Sequence, residues 1–154
     1  MEYYWIEPKT DWKVEYDKNG NYIGDYLNVK DLNRMSINVD YLIEECKRLY
    51  ETDPWFDGLN VLYVATIGEI LDIDQLLDYI YVVKYINRQF VRSEEVTDII
   101  NTRVLDISQD QTPTWEFYNA FERITKLEHE QMVKVANDKR KLKYQFGIPN
   151  TGGF

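Results

Sequence analysis

The sequence is poor in the residues that most chemistry needs. It holds one cysteine, Cys46, and one histidine, His129. A single thiol cannot close an internal disulfide, and on an apolar stripe Cys46 reads as a small buried hydrophobe. Two such side chains fall short of the three or four Cys or His ligands that zinc normally requires. A catalytic triad would have to use His129, but "LEHEQ" is rich in charge and points to a surface or interface imidazole. Neither G-x-x-x-x-G-K-[ST] nor G-x-G-x-x-G occurs, so the glycine-rich phosphate loops are missing. No apolar run approaches the roughly 20 residues that span a bilayer. The opening "MEYYWIEPKTDW" lacks a basic region followed by an apolar block, so no secretory signal is expected. The expectation is a non-enzymatic chain made and assembled in the cytoplasm, with no catalytic residue, metal, cofactor or membrane contact.

Two acidic stretches are candidates for metal binding. "DKNGN" places Asp17, Asn19 and Asn21 like the first ligands of a calcium loop, but Tyr22 stands where the glycine must turn and Asn28 where the bidentate Glu belongs. It reads as a solvated turn. Asp72 and Asp74, in "DID", could grip a metal, yet acidic residues are routine in a first helical turn.

What the chain has in surplus is aromatic. Thirteen Tyr and four Trp help bring the aromatic share to 15%, in a chain whose 154 residues suit one domain with a real core. Such rings serve cores, and they also serve surfaces that meet partners. Charge is uneven. Residues 1 to 121 carry 23 acidic and 11 basic side chains, net −12, and residues 122 to 154 carry 4 and 7, net +3. The basic cluster lies in "KVANDKRKLKY". Cations near the end of a long helix suit its dipole, and the acidic body would repel nucleic acid, so nucleic acid is not an expected partner. A contact between the basic end of one copy and the acidic body of another fits the asymmetry.

Helical periodicity dominates the rest. "NVKDLNRMSINVDYLIEECKRLY" sets Leu32, Met35, Val39, Leu42, Cys46 and Leu49 at spacings of three and four, a stripe down one face of a helix. Asn28 and Asp31 form its capping box, and Pro54 and Gly58 act as breakers beyond it. Leu59 to Ile70 reads either as a strand or, from Thr66 and Glu69, as a helix start. Asp72 with Gln75 opens a second helix to about Phe90, carrying Leu76, Ile80 and Val83. Ser93 caps a short helix bearing Val96, Ile99, Ile100 and Val104. Thr112, with Pro113 at the first helical position, starts the longest helix, striped by Phe117, Phe121, Ile124, Leu127 and Met132. Trp12 to Tyr26 alternates around Asn19-Gly20 and reads as a small hairpin. A shift of 44 superposes Leu32 on Leu76, Val39 on Val83, Tyr41 on Tyr85, Leu42 on Ile86 and Cys46 on Phe90, the pattern of a repeated helical unit.

"PKTDW" at Pro8 to Trp12 and "GDYLNVKDLNRMSINVDYL" at Gly24 to Leu42 resemble a pattern in tail proteins of phages and prophages from Gram-positive bacteria. "TWEFYNAFERI" and the glycine-rich "FGIPNTGGF" are similar to later pieces of the same proteins. The chain departs from them at Met35 and Ser36, where Ile-Glu is common, and in having no Cys in its tail. The resemblance implies a virion structural protein of the tail, baseplate or fibre attachment, present in symmetric copies and partnered by itself and other virion proteins. The residues agree with it, since stripes and aromatic arms without chemistry suit a packed component. A small helical adaptor or regulator binding one host or viral partner would show the same stripes.

The expected fold is mainly α. Residues 1–27 form an N-terminal arm and hairpin, 28–146 a bundle of three main helices with short ones, and 147–154 a tail. Tyr3, Tyr4, Trp5 and Trp12 at one end, and Lys139, Arg140, Lys141 and Phe154 at the other, are the expected partner contacts.

Overall fold

A computed structural model describes residues 3–61 and 72–145, the last three through their backbone alone. The protein is mainly helical. Five α-helices and one π-helical turn account for the regular structure of the described residues, and the only β pairing among them is an isolated bridge.

Helix α1, Val29–Leu49, begins with the expected capping box: the Asn28 side chain accepts the Asp31 amide and the Asp31 carboxylate accepts the Asn28 amide. Met35, Val39, Leu42, Cys46 and Leu49 are buried, and Ile43 joins them. Leu32 is only half-buried, because Asp31, Arg34 and Met35 take the inward positions of that first turn. Pro54 proves to be a starter rather than a breaker. It occupies the first position of α2, Pro54–Asp57, whose cap Asp53 accepts the Phe56 amide.

Helix α3, Ile73–Ile86, starts at Asp72 and buries Leu76, Ile80 and Val83. It does not run on to Phe90 as a regular helix. From Asn87 to Val91 the backbone widens into a π-turn, ended by Arg92 in the left-handed region at φ 52°, ψ 42°. The widening turns Asn87 inward, where its side chain donates to Thr97 Oγ1 and accepts the Ser93 amide. Helix α4, Glu94–Asn101, is capped by Ser93 as expected, but Val104 lies in the turn beyond its end. Helix α5, Trp115–Gln145, starts later than the proline signal suggests. The Thr114 hydroxyl, not that of Thr112, accepts the Phe117 amide, and Pro113 is buried just before that cap. Phe117, Phe121, Ile124 and Met132 are core, while Leu127 packs at its edge.

The helices α1, α3 and α5 run in one direction. Along α1, Arg34 meets Glu122, the Tyr41 ring meets His129, and the Leu49 carbonyl accepts from Lys139. Both residue numbers rise together. Tyr79 of α3 bonds Ser36 near the start of α1, and Phe90 stacks on Tyr50 at its end. Arg34 and Glu122 stand 88 residues apart, twice the 44-residue shift that superposes the α1 and α3 patterns. The strand-or-helix stretch, including Thr66 and Glu69, falls largely on 62–71, and the tail with Phe154 on 146–154, both outside the described residues.

The Asn19-Gly20 turn is present in a different form from the one the dipeptide suggests. Backbone bonds join Asp17 to Asn21, Ile23 to Glu15 and Asp25 to Lys13 around the Tyr16–Tyr22 bridge. Only Gly20 has a positive φ, 82°, so this is a three-residue loop closed by a left-handed glycine. The Asp17 carboxylate accepts the amides of Asn19 and Asn21. Gly24 matters for another reason: a Cβ there would sit 2.7 Å from both the Glu15 amide nitrogen and the Lys13 carbonyl oxygen. Gly20→Ala meets no atom within 4 Å and should cost only the left-handed strain of about 1 kcal/mol. Gly24→Ala must push backbone apart and should cost more; equal urea midpoints for the two variants would contradict the close approach.

Candidate functional site

The segment before the turn is held by side chains. Asn38 of α1 reads both backbone groups of Ile6, its Oδ1 accepting the amide at 2.9 Å and its Nδ2 donating to the carbonyl at 2.8 Å. Asn119 of α5 does the same for Trp12, at 2.7 and 2.8 Å. An asparagine amide carries a donor and an acceptor side by side, which matches the two groups of one extended residue. Between these clasps Glu122 accepts the Lys9 amide at 3.2 Å and the Trp12 indole N–H at 2.6 Å.

Glu122 is 1% exposed and also receives Arg34, through Nε at 2.6 Å and Nη2 at 3.0 Å. Arg34 Nη1 reaches Asp31 at 2.9 Å. One guanidinium thus faces two carboxylates, and the N–H dipoles of Trp12 and Lys9 offset the extra negative charge. Burial would lower the Arg34 pKa, but its bonds to Glu122 and Asp31 outweigh that and hold it above the ordinary value. Trp12 is 4% exposed, stacked on Trp115 at 5.1 Å. Trp5 is half-buried and stacks on His129 at 4.1 Å. Both tryptophans expected to await a partner are therefore largely used within the chain. Tyr3 and Tyr4 stay exposed. His129 is half-buried rather than a free surface group, and burial pushes its imidazole down towards the neutral form.

At the basic end, the Lys139 ammonium caps the Leu49 carbonyl, while Arg140 and Lys141 are exposed. No described bond joins Tyr3, Tyr4, Trp5 or Trp12 to Lys139, Arg140 or Lys141.

Two interior carboxyls were not anticipated. Glu128 is fully buried and neither of its oxygens has a hydrogen-bond partner among the described residues. Asp40 is 2% exposed, with no hydrogen bond of ordinary geometry. Desolvation pushes both pKa values up, that of Glu128 well above the usual 4.5. The same burial raises the Cys46 thiol, with the nearby Glu128 adding to it, so Cys46 is an inert core group. A raised folded-state pKa on an acid means that the native state holds its proton where the unfolded chain has lost it. The stability contributed is complete below about pH 4.5 and declines as pH rises towards the folded value. Glu128→Gln should therefore flatten the loss of urea resistance as pH rises above about 5, where one proton is worth up to about 1.4 kcal/mol per unit. An unchanged slope would show that the carboxyl is solvated.

Aromatic rings left outside the core form two surfaces. Tyr16 and Tyr26, 62% and 69% exposed, both stand edge-on to Tyr22. On the other, Trp55 and Tyr81, 48% and 55% exposed, meet edge to face at 6.0 Å, with Tyr85 beside Trp55 and Arg88 over the Tyr85 ring. A cleft of about 450 Å³ opens at the π-turn, lined by Asn87, Arg88, Arg92, Glu94, Thr97 and Asp98. Two guanidiniums and two carboxylates line it, so its formal charge favours neither an anion nor a cation. Among the described residues no group of three or more His, Cys, Asp or Glu could hold a metal ion, and no helix is long and apolar enough to cross a membrane.

No family model, curated protein or solved structure matches the chain. The functional reading therefore rests on the surfaces themselves.

Proposed function

We propose that the chain is a structural protein of a phage virion, in the tail, baseplate or fibre attachment, folded as a three-helix bundle with an N-terminal arm and small hairpin. It assembles in symmetric copies and against other virion proteins, without catalysis. The observation that carries this is the pair of exposed aromatic surfaces. Large rings left in water after the core is complete are characteristic of faces that become covered. The tail-protein resemblance of Pro8 to Trp12 and Gly24 to Leu42 supports the same reading, and the net +3 of residues 122–154 against the net −12 of residues 1–121 supports contact between unlike faces of neighbouring copies.

Trp55→Ser combined with Tyr81→Ser tests it. These side chains are outside the core, so the urea midpoint should barely move. If they anchor an interface, association with the co-expressed products of neighbouring genes, or with other copies, should weaken by about 30-fold, the equivalent of about 2 kcal/mol. Native mass spectra identical to those of the parent chain would remove this surface from the assembly.

A further inference from the structure

We propose that the groove between α1 and α5 which holds residues 5–12 is an exchange site, and that its second occupant is the same segment of another copy. This rests on the assembly reading for the presence of neighbouring copies, and adds which surface receives which segment.

The observation is how the segment is attached. Its backbone is gripped at Ile6 by Asn38, at Lys9 by Glu122 and at Trp12 by Asn119, all side chains of α1 and α5. Trp5 on His129, Trp12 on Trp115, and the Lys126–Glu7 ion pair at 3.1 Å complete the hold. No described helix or strand contains these residues. The groove thus binds a segment that forms no helix or strand of its own: amide clasps six residues apart hold its backbone, and two aromatic seats select Trp5 and Trp12.

Such a peptide can come from either chain, because each of these contacts is between the segment and the helices and is unchanged when a second copy supplies the segment. The joint is short. The bonded turn ends at Asp25, Tyr26 is 69% exposed, and Asn28 already has extended backbone at φ −135°, ψ 176°. Residues 3–25 can swing outward as a unit without disturbing the α1 cap. The balance between the closed and exchanged forms is then set by that joint and by concentration, the condition under which identical elements are traded between protomers. Exchange also carries Tyr3, Tyr4 and Tyr16 onto the neighbour, placing exposed rings at a subunit boundary.

The Glu7–Lys126 pair allows a test on the unmodified chain. Protein with natural isotopes and protein uniformly labelled with nitrogen-15 are mixed in equal amounts, either as folded chains or in urea followed by joint refolding. A zero-length carbodiimide then couples the Glu7 carboxylate to the Lys126 amine, and the cross-linked peptides are weighed after digestion. Exchange predicts light–heavy links that rise with concentration towards half of the total and fall on dilution before coupling. If native mass spectrometry shows association while every link joins two light or two heavy partners, exchange is wrong and the chains meet through another face. If the chains stay monomeric at the highest soluble concentration and only like-isotope links form, exchange is wrong and self-assembly fails with it.

Discussion

Glu122→Ala is expected to cost about 3–5 kcal/mol, the range for removing one partner of a buried ion pair. The carboxylate lies at the junction of Arg34, the Trp12 indole and the Lys9 amide. Without it the Arg34 guanidinium keeps only Asp31, and a buried N–H of Trp12 loses its acceptor. Both losses are desolvation costs with nothing in return. Against a total stability of about 5–15 kcal/mol, that is enough to leave much of the protein unfolded in mild urea. Glu122→Gln should fall between the two, since an amide oxygen can still accept from Trp12 while the charge opposite Arg34 is gone. Equilibrium urea unfolding followed by Trp fluorescence measures both. A change below about 1 kcal/mol for Glu122→Ala would place the pair in solvent.

Leu42→Asp should abolish cooperative folding. Leu42 is completely buried in the middle of α1, and α1 packs against both α3 and α5. A carboxylate there finds no cation among the described buried residues except Arg34, which Glu122 and Asp31 already occupy. Desolvating an unpaired carboxyl, charged or protonated, in place of a fully packed leucine costs more than one domain can spare, so the chain unfolds. Near-ultraviolet circular dichroism and a thermal scan decide the matter. A soluble variant with a sharp transition and native aromatic signals would mean that the Leu42 stripe is not interior.

The apolar half of this fold was legible because periodicity reports it directly. Val39, Leu42 and Cys46, then Leu76 and Val83, then Phe117, Phe121 and Ile124 all lie in the core. The Asn28–Asp31 box and the Ser93 cap are likewise local signals that tertiary structure left intact. The clasp was not read, because a pattern of apolar residues assigns Arg34, Asn38, Asn119 and Glu122 to the solvent side. A signal was present nonetheless. Asp31, Arg34 and Asn38 are spaced three and four apart, as are Asn119 and Glu122 at three, so each set forms a polar stripe of its own. Such a stripe beside an aromatic-rich segment with no periodicity is what a side-chain clasp requires. Glu128 and Asp40 had no comparable signature, since a lone acid within a charged helix looks the same whether it faces water or the core. The late start of α5 was hidden by two threonines flanking Pro113, where only three-dimensional contact shows that Thr114 is the cap.

The sequence separations across the clasp have a kinetic consequence. Trp12 is bonded to residues 107 and 110 positions later, and Lys9 to one 113 later. On a ribosome the tryptophan segment leaves the exit tunnel while the residues that will receive it are still unmade. It must wait through the synthesis of α1 to α4, and loop closure over such a span adds its own entropic delay. The earliest part of this stretch to be synthesised is thus the last to dock. Hydrogen exchange pulsed during refolding should show the Ile6 and Trp12 amides gaining protection after the α1 amides, as one late event. On a polysome, several such waiting segments stand near newly completed α5 helices, so the order of synthesis itself creates the interval in which a segment can find a groove other than its own.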